Sequence, residues 1–570
     1  MKLTSKAVCL VLACIMLFAM LAGCGNAQKS DSGETTQAGS SDTGSAEFAT
    51  STSADASDWE WKKDTSPFEF SMWVGYSWAK GSYDVIDNIV GKNITKKTGV
   101  KWNVTIPAGN ENEALNLLIA SNDLPDMIIT DYSNMNVNKL IKGGLVYSYD
   151  ELIDKYCPNM WKLITKDDKL YHAQSDGKLY YIPNFQADEQ LFESTIQKTN
   201  ELIYFVRNDI YENMGKPKME TPDEFLNVLK RVKAEYPDMI PFQMDEILPE
   251  SLLLNNAVYN ILRGFGIGAG NPCVYEDGPD IKYLFRDPQY VQGLKFVNKM
   301  FLEGIITADQ LTEKTAQINE KFNNAKYFTM IENIWRVTAV DNPNFKNNLK
   351  DEKIKYVLAD IFKAPGVTPK LNGLRSKGWM AQLITKNAKN PERIIKFVEY
   401  ALTDEGQTDV MMGEEGVTYD LVNGEPVLKP EYADMQKQDV AKFGKVGFNE
   451  VLCYWIRPLP FDKYSRAGNF GLEETKANQR IANEYAVDYF KLGFADLNPD
   501  PGSKEATTNT KILQTWVKYA IKMIMSKTDD EFTKHYTEGI ADVDKIGAAS
   551  VEKVMTEKHQ AELEALGNSK

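Results

Sequence analysis

Histidine is nearly missing from this chain: His172, His535 and His559 are the three in 570 residues. No two stand four apart, the spacing that sets imidazoles on one helix face, so the H-E-x-x-H zinc site is excluded. The nucleophile elbow G-x-S-x-G and the phosphate loop G-x-x-x-x-G-K-[ST] are absent too. Six cysteines include no C-x-x-C pair. Positive charge is in deficit, 65 Lys and Arg against 80 Asp and Glu. That balance speaks against nucleic acid, which needs a basic footprint. No apolar run past the N-terminus reaches the roughly 20 residues that cross a bilayer.

Some motifs match only in letters. Gly264-Phe265-Gly266-Ile267-Gly268-Ala269 fits G-x-G-x-x-A, but the stretch before it (Leu252 to Leu262) reads as helix, whereas a dinucleotide loop follows a strand. Ser550-Val551-Glu552-Lys553 and Lys97-Thr98-Gly99 occur in the reverse of the order that penicillin-recognising enzymes use. Neighbouring carboxylates such as Glu414-Glu415 and Asp529-Asp530 point apart on a regular element, which does not suit the facing pair of a glycosidase. The scan therefore predicts no enzyme, no cofactor and no metal.

At the N-terminus, Lys2 and Lys6 precede an apolar run from Ala7 to Ala22. A charged start, a short apolar segment and small residues before a cut describe a secretory signal peptide over 1–23. Leu21-Ala22-Gly23-Cys24 resembles the lipobox of bacterial lipoproteins. The resemblance implies that Cys24 is acylated and anchors an extracytoplasmic body to the membrane, on the outer face of a Gram-positive cell. The plainer reading is a secreted protein cut near Ala22. Residues 24–58, rich in Ser, Thr, Gly, Ala and Asp, are a flexible linker averaging roughly 30–35 Å end to end as a random coil. Cys9 and Cys14 leave with the signal; Cys157, Cys273 and Cys453 read as small buried hydrophobes.

The folded body is too long for one core, so at least two lobes are expected. Phe68–Val74 alternates with period 2 and predicts a strand. A helix, a second strand at Lys101–Ile106, another helix and a short apolar strand at Met127–Ile129 follow. That alternation indicates βαβ units. Glu201–Val206 is a further strand. Thr221-Pro222-Asp223-Glu224 opens a helix, with Thr at the cap, Pro in the first turn and Glu three after the cap. Gln289–Glu303 is amphipathic, Tyr327–Ile331 and Tyr356–Ala359 are strand-like, and the chain past Pro391 is mostly helical.

Several segments in this order resemble the solute-binding lipoproteins of bacterial carbohydrate ABC importers, of the long oligosaccharide-binding type. They are Asp123-Leu124-Pro125-Asp126, Asp176-Gly177-Lys178-Leu179-Tyr180-Tyr181-Ile182-Pro183, Phe205-Val206-Arg207-Asn208-Asp209, Tyr327–Trp335, Asn390-Pro391-Glu392 and Leu402-Thr403-Asp404-Glu405-Gly406. The resemblance implies an α/β, two-lobed periplasmic-binding-protein-like fold with parallel-rich sheets and a ligand cleft between lobes. It places an N-lobe at 67–182 with 378–425 and a C-lobe at 203–364 with 447–570. Hinge crossings fall at 183–202, 365–377 and 426–446. The implied function is capture of a sugar or oligosaccharide by a monomer and its delivery to permease subunits. A lipid-anchored polysaccharide-binding protein or glycan-acting enzyme uncoupled from transport is the alternative.

Sugar recognition needs flat apolar faces for C–H surfaces and planar polar groups for hydroxyls. Loops after strand carboxyl ends are where an α/β cleft holds its ligand. On that rule the expected ligand contacts are Trp73 and Tyr76 after the first strand, Asp126 and Asp131 beside the third, and Trp335 after Tyr327–Ile331. Arg375 and Trp379 near the second crossing, and Trp455 with Arg457, complete the set.

Overall fold

The computed structural model describes residues 58–567, apart from 77–78, 80–86, 200, 269–272, 338–340, 359–361, 376–377, 439, 449–454, 456, 458–459, 461–462, 465–472, 495–496 and 501. The expected signal peptide, Cys24, nearly all of the expected linker and Cys453 lie outside these. No helix among the described residues is long and apolar enough to cross a membrane.

The body carries two principal sheets. In the N-lobe, β1 (Phe68–Val74), β2 (Val100–Thr105) and β3 (Met127–Asp131) are parallel, and β1 lies between the other two. The alternation of β1 is real at its first residues, but Met72, Trp73 and Val74 are all buried. A centre strand covered on both faces has no solvent side to alternate with. In the C-lobe, β4 (Ile203–Arg207) lies between β5 (Thr329–Glu332) and β6 (Tyr356–Leu358). Both C-lobe pairs are antiparallel, so the parallel-rich expectation holds for the N-lobe sheet alone. The N-lobe sheet is completed by β7 (Met380–Ile384), antiparallel to β3.

Local signals fold as written. Thr221 and Glu224 form the reciprocal capping box, with Pro222 in the first turn, and Phe225, Leu226, Leu229 and Val232 turn inward. The Gly-rich stretch from Gly264 follows a helix, Asn256–Arg263, with no strand before it. The C-lobe core gathers Phe225, Phe242 and Phe362 with Trp516 and Met555 from the C-terminal helices. Trp516 stacks on Phe285 at 4.6 Å and donates its indole N–H to the Tyr290 hydroxyl at 3.0 Å. Cys157 is buried and Cys273 is half-buried, and neither is in a disulfide.

The expected third crossing at 426–446 comes later. Gly447 packs on Asn88 and Val90, Arg457 pairs with Asp404, and Lys463 pairs with Glu425, all N-lobe partners. The helix Glu473–Asn483 already belongs to the other side, where Ala482 sits in one buried cluster with Phe205 and Met330. The described residues thus keep N-lobe partners as far as Lys463 and Tyr464. Polar, helix-forming sequence keeps 430–438 on the N-lobe surface, with nothing in it to force a crossing.

The N-lobe is tied down by the residues that follow the linker. Trp61 is buried edge-on against Tyr400 at 4.9 Å, and its N–H donates to Glu399 Oε2 at 2.9 Å. Burial pushes the Glu399 carboxyl up to about 7. A raised folded-state value means the native state holds a proton that the unfolded chain gives up. The contribution is present below the ordinary carboxylate range and is lost as pH climbs to about 7. Glu399→Gln, which cannot ionise, is expected to gain about 2–3 kcal/mol on wild type between pH 4 and pH 7.5. Urea unfolding at the two pH values measures this; a constant difference would refute it.

Candidate functional site

The crossings fix which sheet edges face each other. Met380 opens β7 directly after the second crossing and pairs with Asp131, the last residue of β3. Ile203 opens β4 directly after the first crossing and pairs with Glu332, the last residue of β5. The carboxyl ends of β1, β2 and β3 and of β5 and β6 therefore lie where the chain passes between lobes, the position at which open α/β sheets bind ligands.

On the N-lobe edge the chain turns sharply after β3. Asp131 accepts from the Ser133 N–H (2.8 Å) and hydroxyl (2.6 Å), and the Tyr132 N–H donates to the Trp379 carbonyl at 3.0 Å. This presents Tyr132 as the hub of an aromatic group. It is parallel to Tyr181 at 6.3 Å and edge-on to His172 at 5.3 Å and Tyr171 at 6.4 Å. A cavity of about 560 Å³ opens here, walled by Tyr132, Tyr171, His172 and Tyr181 from the N-lobe and by Asn498, Asp500, Lys558 and Glu562 from the C-lobe. Trp73 is buried beneath it in the same cluster, Tyr76 is half-buried at the end of the first strand's loop, and Trp379 is half-buried with its N–H on Asn184 Oδ1 at 2.7 Å.

The C-lobe edge holds a second cavity of about 480 Å³, with Leu202, Gln243, Asp245, Asn255, Glu332 and Arg336 in its wall. The segment through Ile240 runs parallel beside Tyr327 and so ends at the same edge. Gln243 is held from three sides: its N–H donates to Thr329 Oγ1 (3.0 Å), its Oε1 accepts from the Ile331 N–H (3.2 Å), and its Nε2 donates to Asp245 Oδ1 (3.1 Å). Glu332 accepts from the Asn333 N–H at 2.8 Å and pairs with Arg336 at 3.2 Å, while Arg336 also reaches Asp341 at 3.5 Å. Burial raises the Asp245 and Glu332 carboxyls, and it pushes Asp341 up to about 7. Trp335 lies in the short helix Ile334–Arg336 that follows β5, and its side chain is outside the described set.

The remaining expected contacts have other employment. Asp126 precedes β3 and so sits at its amino end, away from the crossings; it accepts from Ser71 (2.8 and 2.6 Å) and from the Lys389 N–H (3.0 Å). Trp455 is wholly buried on Phe397, and Arg457 caps the Leu402 carbonyl and pairs with Asp404. Arg375 is buried at the lobe junction. It gives Nε and Nη2 to Asp167 (3.0 and 2.7 Å) and Nη1 to Asp488 (2.6 Å), with its guanidinium 5.0 Å over Phe490.

Two lobes joined by crossings, with aromatic and polar cavity walls near them, have the build of a protein with a ligand cleft between lobes. The chain matches the family model of bacterial extracellular solute-binding proteins over residues 79–408, more than half of its length, and it belongs to that family. Among curated relatives, the fructooligosaccharide ABC transporter substrate-binding protein FusA of Streptococcus pneumoniae is 25% identical over 329 residues, which is 55% of this chain and 58% of that one. Lipoprotein LipO of Bacillus subtilis is 24% identical over 354 residues, 58% of this chain and 64% of its own. The matches thus span less than two thirds of either relative. Among solved structures, the alginate-binding protein AlgQ2 superposes with a TM-score of 0.64 at 19% identity, covering 88% of this chain and 99% of its own. A solute-binding protein from Bifidobacterium longum infantis described as binding HMO gives 0.62 at 16%, covering 89% and 100%. These likenesses establish the two-lobed fold.

Proposed function

We propose that this protein captures an oligosaccharide between its lobes and hands it to the permease of an ABC importer, without altering it. The carrying observation is the aromatic cluster around Tyr132 in a cavity walled by both lobes, joined by the polar cavity of Gln243, Asp245 and Glu332 at the end of the C-lobe sheet. Stacked rings suit sugar C–H faces, and carboxylates and amides suit hydroxyls. The fructooligosaccharide-binding FusA and the HMO-binding protein point the same way. Lipid on Cys24 would keep the protein at the cell surface, as the sequence Leu21-Ala22-Gly23-Cys24 implies.

Titration calorimetry against an oligosaccharide panel tests the reading, with chromatography of the recovered sugar to show it intact. Tyr132→Ala is expected to weaken the best ligand about thirtyfold, the ~2 kcal/mol of an aromatic hot spot. Trp335→Ala should do the same. A variant that melts far below wild type with unchanged affinity would return that side chain to packing. For the anchor, Cys24→Ala should move the protein from the membrane fraction to the medium; retention without an acylated N-terminal peptide would count against lipidation.

A further inference from the structure

Resting on the sugar-capture reading, we infer a charge rule for the ligand: the site accepts oligosaccharides without anionic groups and rejects uronate, sialylated and sulfated ones. The C-lobe wall carries Asp245, Glu246 and Glu332 against one cation of its own, Arg336. That cation is already shared between Glu332 at 3.2 Å and Asp341 at 3.5 Å. Glu246 is taken by Lys314 at 2.8 Å and by the Thr315 N–H at 3.0 Å. Asp245 has neutral partners, an amide of Gln243 on Oδ1 at 3.1 Å and the Asn256 side chain. In the cavity walled by both lobes, Lys142 and Lys558 are matched by Asp500 and Glu562, and Lys558 is bound to the Asn498 carbonyl at 2.6 Å. No surplus positive charge stands at either described wall.

The consequence is chemical. A carboxylate fixed at a cavity wall accepts two hydroxyl hydrogens from a neutral sugar. It repels an anion at the same place, with little solvent to screen the pair. At separations of about 5–6 Å, one such pairing lowers affinity on the order of a hundredfold.

An array pairing neutral oligosaccharides with their uronate, sialylated and sulfated counterparts, followed by calorimetry on matched pairs, tests this. Wild type should retain neutral glycans only. Asp245→Asn should weaken the neutral partner and narrow its lead over the uronate counterpart at least tenfold. Glu332→Gln is the second variant should the first melt early. An acidic glycan bound more tightly than its neutral match, or an unchanged ratio in a natively melting variant, overturns the charge rule and leaves sugar capture standing. Silence across both series takes down the capture reading and the rule together.

Discussion

Arg375→Ala is expected to lose about 3–5 kcal/mol in urea unfolding, the cost of leaving buried carboxylates without their cation. Asp167 and Asp488 have side chains only 16% and 15% exposed, so water cannot replace the guanidinium fully. Arg375→Lys should recover part of the loss, because an ammonium supplies charge without the planar fork that spans both partners. Asp167 sits in the N-lobe helix Lys166–His172, whereas Asp488 follows the short strand Ala486–Val487 paired with Leu371–Asn372. Small-angle scattering of the alanine variant should therefore also show a larger radius, as the lobes part. A loss below 1 kcal/mol with an unchanged radius would mean that the clamp stabilises nothing.

Trp455→Ala should cost a comparable 3–5 kcal/mol while leaving sugar affinity within a factor of two. The indole is fully buried, edge-on to Phe397 at 6.3 Å, and the Trp455 carbonyl accepts from Gln407 at 2.7 Å. Thermal melting and calorimetry on one preparation separate the outcomes. Weakened binding with an intact melting temperature would return Trp455 to the ligand contacts expected from its sequence.

Legibility followed the range of each signal. The capping box at Thr221 and the apolar strand Met127–Ile129 are local, and both fold as the letters say. The carboxyl-end rule led to Trp73, Asp131 and Trp335, which lie at or just after the ends of β1, β3 and β5. It failed at Asp126, where one aspartate stands before the strand and another closes it. The polar C-lobe wall stayed hidden because Gln243 and Glu332 meet only through the pairing of Ile240 with Tyr327. Tyr132 was one residue from a named candidate, and only the turn made by Asp131 and Ser133 shows which way the chain goes. The third crossing was misplaced because a change of lobe leaves no mark in polar helical sequence.

The late arrival of β7 bears on how the chain matures. Trp61 meets Glu399 across a separation of 338 residues, and the Thr385 hydroxyl reaches the Pro125 carbonyl across 260. A polypeptide threaded outward from its N-terminus would release β1, β2 and β3 long before their edge partner. The C-lobe sheet, with its last strand ending at Leu358, is available first, although it lies later in the sequence. Until Ile384 emerges, the free edge of β3 is a template for stray pairing. The sheet begun first is thus closed second, and its unfinished edge is what a chaperone would have to shield.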